Sequence, residues 1–354
     1  MNPLLAISHI SKKFAGNKRF AVHDFSIEVN KGEIIALLGE SGCGKTTILR
    51  MISGFEAPDK GSIILAGQEV VGDHVFVAPN KRGVGIVFQD YALFPNKTVE
   101  QNIVFGLSNF DKQSRKQKLM DAIAVCGLDE FTQRYPHQLS GGQKQRVALA
   151  RALAPQPKVM LFDEPFSNID TLRKMQMRED IGKILRETQT TAIFVTHDTR
   201  DVLSLADRVA VLKEGVCQQI GTPSGVYRKP VNSYVARFFG KTNLFDALPV
   251  PGGFQTPMGL IHSKNHSQLS TSKVQLSIRP DDFELCSPDA SGCFKAKVLN
   301  DQYMGSTREL TLNVCDCSDS NFEILLNVSQ DVCIDDRVCF FRQRKDSEPG
   351  ILDG

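Results

Sequence analysis

Long apolar runs are missing from this chain of 354 residues. None approaches the ~20 residues that a membrane-crossing helix needs, so any work at a membrane has to be done with separate spanning chains. The opening stretch, Met1 to His9, has no basic region followed by an apolar one, and no secretory leader is read there. An excess of either charge is absent too. Forty-two Lys and Arg face 40 Asp and Glu, a balance of +2, which argues against a nucleic-acid scaffold or a strongly cationic membrane binder. Aromatic residues are few and no long heptad run occurs. The nine cysteines lack the spacing of a secreted framework, and Cys43 lies in a glycine-rich loop, so reduced thiols in a cytosolic setting are expected. The length suits two folded units.

What is present is chemistry at the ends of short apolar runs. Glu33 to Leu38 reads as a buried parallel strand and Thr46 to Phe55 as a helix, with Ile48, Leu49, Ile52 and Phe55 at helical spacing. Between them stands Gly39-Glu-Ser41-Gly42-Cys43-Gly44-Lys45-Thr46-Thr47, which matches G-x-x-x-x-G-K-[ST] in the strand-to-helix context that this phosphate loop requires. Backbone N–H groups and the helix dipole favour phosphates there. Lys45 is placed to reach the β- and γ-oxygens, Thr46 to hold Mg²⁺ and Thr47 to bond the α-phosphate.

A second apolar run, Val159 to Phe162, stops abruptly at Asp163-Glu164. Two carboxylates are tolerated only at the solvent-facing end of such a strand. Asp163 suits Mg²⁺, and Glu164 suits the general base that deprotonates an attacking water. Gln89 closes the run Val87-Phe88 and could touch both metal and water. His197 closes Ala192 to Thr196, where it could contact the γ-phosphate and support Glu164. Leu139-Ser140-Gly141-Gly142-Gln143 opens a helical pattern running to Ala154, with Ser140 where an N-cap belongs and two glycines that let backbone approach a ligand. Each of these alone has an ordinary structural reading; their order along one chain does not.

Taken together, the phosphate loop, Gln89, Leu139 to Gln143, Phe162-Asp-Glu-Pro165 and His197 resemble the Walker A, Q-loop, signature, Walker B and H-loop of ABC transporter ATPases, over roughly residues 4–240. The resemblance implies an α/β P-loop NTPase core with a helical subdomain at about 90–157. It also implies ATP and Mg²⁺ as ligands, and two copies that sandwich ATP between the phosphate loop of one and Ser140, Gly141, Gly142 and Gln143 of the other. Phe14 stands where the family stacks an aromatic ring on adenine. Ser167-Asn168-Ile169-Asp170 departs from the usual Ser-Ala-Leu-Asp but keeps Asp170, implied in crosstalk between sites. The helical subdomain would meet a permease helix, with Tyr91 to Pro95 offering apolar groups for it.

Beyond about Lys241 the text turns to short alternating segments, which read as an all-β module at 241–354. With Ile278 to Leu285 it resembles the oligonucleotide/oligosaccharide-binding-like (TOBE-type) regulatory domains of importer ATPases, so nucleic acid is not expected as a partner. Cys315-Asp-Cys317 has strand spacing for one face, enough for a soft metal or a redox sensor. The apolar Leu310, Leu312 and Val314 lie on the other face, and no second ligand pair accompanies the cysteines, which favours plain strand residues.

The tail points to binding-protein-dependent importers, hence to a peripheral subunit on the cytoplasmic face of the inner membrane. Its partners would be a permease and, indirectly, a periplasmic or other extracytoplasmic solute-binding protein. Gly54 to Gly61, Arg82 to Gln89 and Asp90 to Pro95 look closest to ferric-ion importer ATPases, with polyamine, sulfate, sugar and aminoethylphosphonate importers as alternatives. A soluble ABC-type ATPase acting on DNA or ribosomes is the reading from another class. Mixing Ser140→Arg subunits with Lys45→Ala subunits should leave one composite site intact in each mixed dimer, so ATP hydrolysis should reappear on mixing two inactive preparations.

Overall fold

The apolar run before the glycine-rich loop is a strand buried along its whole length, and a sheet forms around it. This computed structural model describes residues 2–167, 171–264, 273–315, 322–331 and 338–352. The chain divides into two units, Met1–Pro223 and Ser224–Gly354.

The first unit opens with β1 (Leu5–Lys12), β2 (Val22–Val29), β3 (Ile34–Gly39), α1 (Lys45–Ser53), β4 (Lys60–Leu65), β5 (Gln68–Gly72), β6 (Val75–Phe76) and β7 (Val84–Val87). Helices α2 (Val99–Phe105), α3 (Lys112–Cys126) and α4 (Gly141–Leu153) follow. Then come β8 (Val159–Asp163), α5 (Thr171–Glu187), β9 (Ala192–Thr196), α6 (Thr199–Leu205), β10 (Arg208–Lys213) and β11 (Val216–Gly221). A six-stranded sheet has the order β11-β10-β3-β9-β8-β7, parallel throughout except for the β10–β11 hairpin. A five-stranded antiparallel sheet has the order β2-β1-β4-β5-β6.

Alternation explains why the parallel strands read as unbroken apolar runs. Ile35, Leu37, Leu161, Ile193 and Val195 join the core shared with α1 and the antiparallel sheet. Their neighbours Ile34, Met160, Phe162, Ala192 and Phe194 join the core shared with α2 to α5. Both faces are covered, so both parities must be apolar. Helices α2, α3 and α4 fill the stretch between β7 and β8. Thr98 caps α2 in a reciprocal box with Gln101, and the Asp111 side chain caps α3.

Sequence reading did not find the antiparallel sheet. β1 and β2 bury only part of each strand, and bulges break their register, so the period-two signal is interrupted. Nor did it single out Arg82 as a core residue, although Arg82 is 1% exposed. Its Nη1 donates to Met51 O (2.7 Å) and Ile52 O (2.9 Å) in the last turn of α1, and its Nε donates to Val77 O (2.7 Å). A cation thus closes the C-terminal end of the helix that begins at the phosphate loop.

The second unit contains α7 (Pro223–Arg228) from its second residue on, and α8 (Ser233–Phe238). Its strands are β12 (Asn243–Val250), β13 (Gly253–Thr256), β14 (Gly259–His262), β15 (Val274–Ile278), β16 (Phe283–Leu285), β17 (Phe294–Tyr303), β18 (Thr307–Val314), β19 (Glu323–Ser329), β20 (Val338–Gln343) and β21 (Gly350–Leu352). They make two antiparallel sheets, β14-β13-β12-β15-β21 and β16-β20-β17-β18-β19. The outer strands β16 and β19 lie against each other, which nearly closes the second sheet into an OB-like barrel. Phe245 and Phe254 of the first of these sheets and Phe283 and Phe341 of the second belong to one shared core.

The units divide ahead of residue 240, where the change in composition placed the boundary. Arg279 supplies the reason: its guanidinium donates to Tyr227 O (3.0 Å) and Ala236 O (2.9 Å), which holds α7 and α8 to the β unit. The expectation of uniformly reduced thiols needs correction. Cys286 and Cys293 are joined as a disulfide across the turn between β16 and β17, whereas Cys43, Cys126, Cys217, Cys315 and Cys339 are free. Cys317 lies outside the described residues. Among the described residues no group of three His, Cys, Asp or Glu is placed to hold a metal ion, and no helix is long and apolar enough to cross a membrane. Replacing Arg82 by Ala removes three buried hydrogen bonds and leaves a void, and should lower unfolding free energy by roughly 2–4 kcal/mol in urea titrations followed by circular dichroism.

Candidate nucleotide site

Parallel pairing decides where the polar strand ends go. Leu38 lies beside Thr196, Val195 beside Asp163, and Phe162 beside Val87. The four strands β3, β9, β8 and β7 therefore finish at one edge, spaced by roughly 4.8 Å each. Gly39, His197, Glu164 and Gln89 all leave the sheet there.

The loop from Gly39 to Lys45 needs its glycines for two different reasons. A Cβ on Gly39 would lie 2.4 Å from Leu212 O, and one on Gly44 would lie 2.2 Å from Ala21 O. Gly44 also has φ 105, and Gly42 φ 82, in the left-handed region. Lys45 is 4% exposed, and its Nζ donates to Gly39 O and Glu40 O, each at 2.8 Å, so the loop's own carbonyls hold the ammonium. Cys43 turns its side chain into the core, where burial pushes its thiol pKa up. A cavity of about 240 Å³ is lined by Ser41, Gly42, Gly44, Lys45, Thr46, Thr47, Ala21 and Glu164.

Thr46 Oγ1 donates to Asp163 Oδ1 at 3.0 Å. Burial raises the pKa of the Asp163 carboxyl, opposed by this hydrogen bond. Glu164 sits at φ 47, an unusual backbone for a residue with a Cβ, and its N–H donates to Val195 O (3.0 Å). The strained turn brings Oε2 to 3.5 Å from His197 Nδ1. Gln89 is exposed just past β7, and the chain after it continues through Tyr91 (φ 63) and Ala92 (φ 45). Arg151 of α4 holds that segment, donating to Tyr91 O (2.9 Å) and Ala92 O (2.7 Å).

Ser140 caps α4 as expected: Gln143 N donates to Ser140 Oγ (3.3 Å) and Ser140 N to Gln143 Oε1 (2.9 Å). Ser140 and Gly141 are exposed, and a Cβ on Gly141 would meet nothing within 4 Å. None of Leu139 to Gln143 lines the cavity at Lys45. Phe14 is 37% exposed with Lys12 Nζ 5.5 Å from its ring centre, so it is not an ordinary core residue. Asp170 lies outside the described residues. A larger cavity of about 640 Å³, with Lys31, Lys158 and Thr191 in its lining, sits where β3, β8 and β9 begin, away from all these groups.

The first part of the chain matches the ABC transporter family model over residues 22–167. Among relatives, the spermidine/putrescine import ATP-binding protein PotA of Marinobacter nauticus is 40% identical over 88% of this chain and 85% of its own length. This chain belongs to the ABC transporter family. The Fe(3+) ions import ATP-binding protein FbpC 2 of Haemophilus influenzae is 36% identical over 97% of this chain and 96% of that protein. A solved structure described as a dimeric post-hydrolysis state of the ATP-binding cassette MJ0796 bound to ADP and Pi is 26% identical. It covers 62% of this chain and 98% of that one, with a TM-score of 0.53.

Sequence reading missed Ala21, whose carbonyl crowds Gly44; no signal at position 21 announces this, because the contact is made across the fold. It also missed Arg178 and Asp201, which hold the segment around His197. The spacing Asp198-x-x-Asp201 after a strand end was the available hint, and Asp198 does cap α6. Substituting Gly44 by Ala should abolish binding of a fluorescent ATP analogue while the far-ultraviolet spectrum stays that of the wild type, because the new Cβ forces the loop away from Ala21.

Proposed function

We propose that the chain is the Mg-ATP-hydrolysing subunit of an importer. It works as two identical copies on the cytoplasmic face of the cell membrane, with a separate permease and an extracytoplasmic solute-binding protein. The observation that carries the reading is the assembly of Lys45, the Thr46–Asp163 pair and the Glu164–His197 pair at one sheet edge.

The residues fit the ligands. A hydroxyl and a carboxylate within hydrogen-bond distance form a hard-oxygen donor set suited to Mg²⁺, and Gly42, Gly44, Lys45 and Thr46 line an open cavity where phosphates would fit. Bound Mg²⁺ would neutralise charge on the β- and γ-phosphate oxygens. Thr46, Asp163 and Gln89 would hold it. Lys45 would leave the carbonyls of Gly39 and Glu40 for phosphate oxygens, and Phe14 would stack on the base. Glu164 takes a proton from water as general base, with His197 orienting its carboxylate. None of Ser140 to Gln143 lines the cavity at this chain's own phosphate loop, which supports their use on the nucleotide of the second copy, with Asp170 linking the sites. The Q-loop segment, braced by Arg151, is the part suited to carry closure toward the permease.

For cargo we infer the ferric ion. The ferric relative from Haemophilus influenzae aligns with 97% of this chain, including the β unit. Polyamine is the second reading, favoured by the 40% identity to PotA. Both named cargoes are cations. Relatives named as import proteins over most of the chain also weigh against an ATPase acting on DNA or ribosomes. Glu164→Gln should give a dimer that traps ATP and turns over at no more than about a hundredth of the wild-type rate. In cells lacking the chromosomal copy it should stop uptake of radioactive iron while spermidine uptake is unchanged; the opposite pattern would assign polyamine.

A further inference from the structure

Helix α5 touches both parts of the nucleotide machinery. Arg178 is buried, with Nε donating to Asp201 Oδ1 (2.6 Å) and Nη2 to Asp198 Oδ2 (2.8 Å). Asp201 Oδ2 accepts a hydrogen bond from Thr196 Oγ1, and Thr196 Oγ1 accepts one from Asp198 N at 3.0 Å. Thr196 and Asp198 are the chain neighbours of His197. One guanidinium thus fixes the backbone on both sides of the histidine, whose own side chain is 54% exposed and faces Glu164. Lysine, a single point charge, cannot span the two acids in this way.

The same helix also meets the signature run. Met177 Cε lies 2.8 Å from where a Cβ on Gly142 would be, and Asp180 pairs with Arg146 of α4. Residues 177 and 180 share a helix face, while 178 is turned about 100° away from 177. One face of α5 therefore meets α4 and another meets the loop that carries His197. Packed interiors pass displacement on rather than absorb it.

We propose that α5 is a strut that makes the placement of His197 at one ATP depend on what the same chain's signature run holds at the other, with Arg178 as the positioning residue. This rests on the two-copy reading above. When Ser140, Gly141 and Gly142 close on the partner's nucleotide, α4 presses on Met177 and Asp180. Arg178 then carries the shift to Asp198 and Asp201, and so to His197. Hydrolysis at the two sites is thereby coupled through each chain as well as across the dimer.

The test is steady-state ATP hydrolysis by the full chain, with the Hill coefficient, kcat and KM read separately. Wild type should be cooperative. Arg146→Asp and Asp180→Asn should each bring the Hill coefficient toward one, and Arg146→Asp combined with Asp180→Arg should restore it. Arg178→Lys should lower kcat on the order of tenfold with KM for ATP unchanged, because the phosphate loop is untouched. Melting temperatures separate these effects from misfolding. Cooperativity retained in both single variants overturns the strut, as does a swap that regains thermal stability without cooperativity, or an Arg178→Lys defect that appears only in KM. A wild type that hydrolyses no ATP overturns the functional reading itself, whereas a cooperative wild type with equally cooperative variants overturns the strut alone.

Discussion

Parallel pairing of β7, β8, β9 and β3 is the constraint on which the rest depends. Residues scattered from position 39 to position 197 meet only because four strands run the same way and end at one edge. A parallel strand must be followed by a crossover before the next can begin, and here the crossovers are the helices that give the site its other groups. The stretch between β7 and β8 holds the signature helix. The stretch between β8 and β9 holds α5. Both arise from the same topological requirement that puts Glu164 beside His197.

Part of the first unit's backbone strain lies at this edge. Glu164, Tyr91 and Ala92 have positive φ although none is glycine. Each is held by neighbours: Val195 O takes the Glu164 N–H, and Arg151 takes the carbonyls of Tyr91 and Ala92. Such conformations persist only where surroundings over-determine them, and they cluster where geometry matters to function. Elsewhere in the first unit α2, α3 and α4 carry side-chain caps, and the apolar parity of the parallel strands matches two covered faces.

Much of this could be read in advance, though unevenly. The phosphate loop, the Asp163-Glu164 strand end and the Ser140 cap announce themselves because each is local, with a fixed spacing and one allowed neighbourhood. The all-β character of the second unit was readable from alternation, but strands such as β12, β13 and β14 were not singled out. Nor was the bulged sheet of β1 and β2, since its period is broken. Arg82, Arg178 and Arg279 were also hidden as structural residues. An arginine in a sequence reads as surface, and only the carbonyls and carboxylates gathered around it show that it is an interior brace.

By itself the sequence determined which residue types stand at which spacing: a glycine-rich loop and lysine suited to phosphate, oxygen groups suited to a hard cation, a carboxylate suited to take a proton, and a Ser-Gly-Gly run that opens a helix. These are properties of contiguous chain. Only the tertiary structure decided which of those groups meet. It put Thr46 on Asp163 and Glu164 near His197, kept Ser140 away from its own chain's cavity, and placed one arginine of α5 across both acids beside the histidine. Such meetings are set by strand register and by the packing of covered faces, and neither is written in any short stretch of residues.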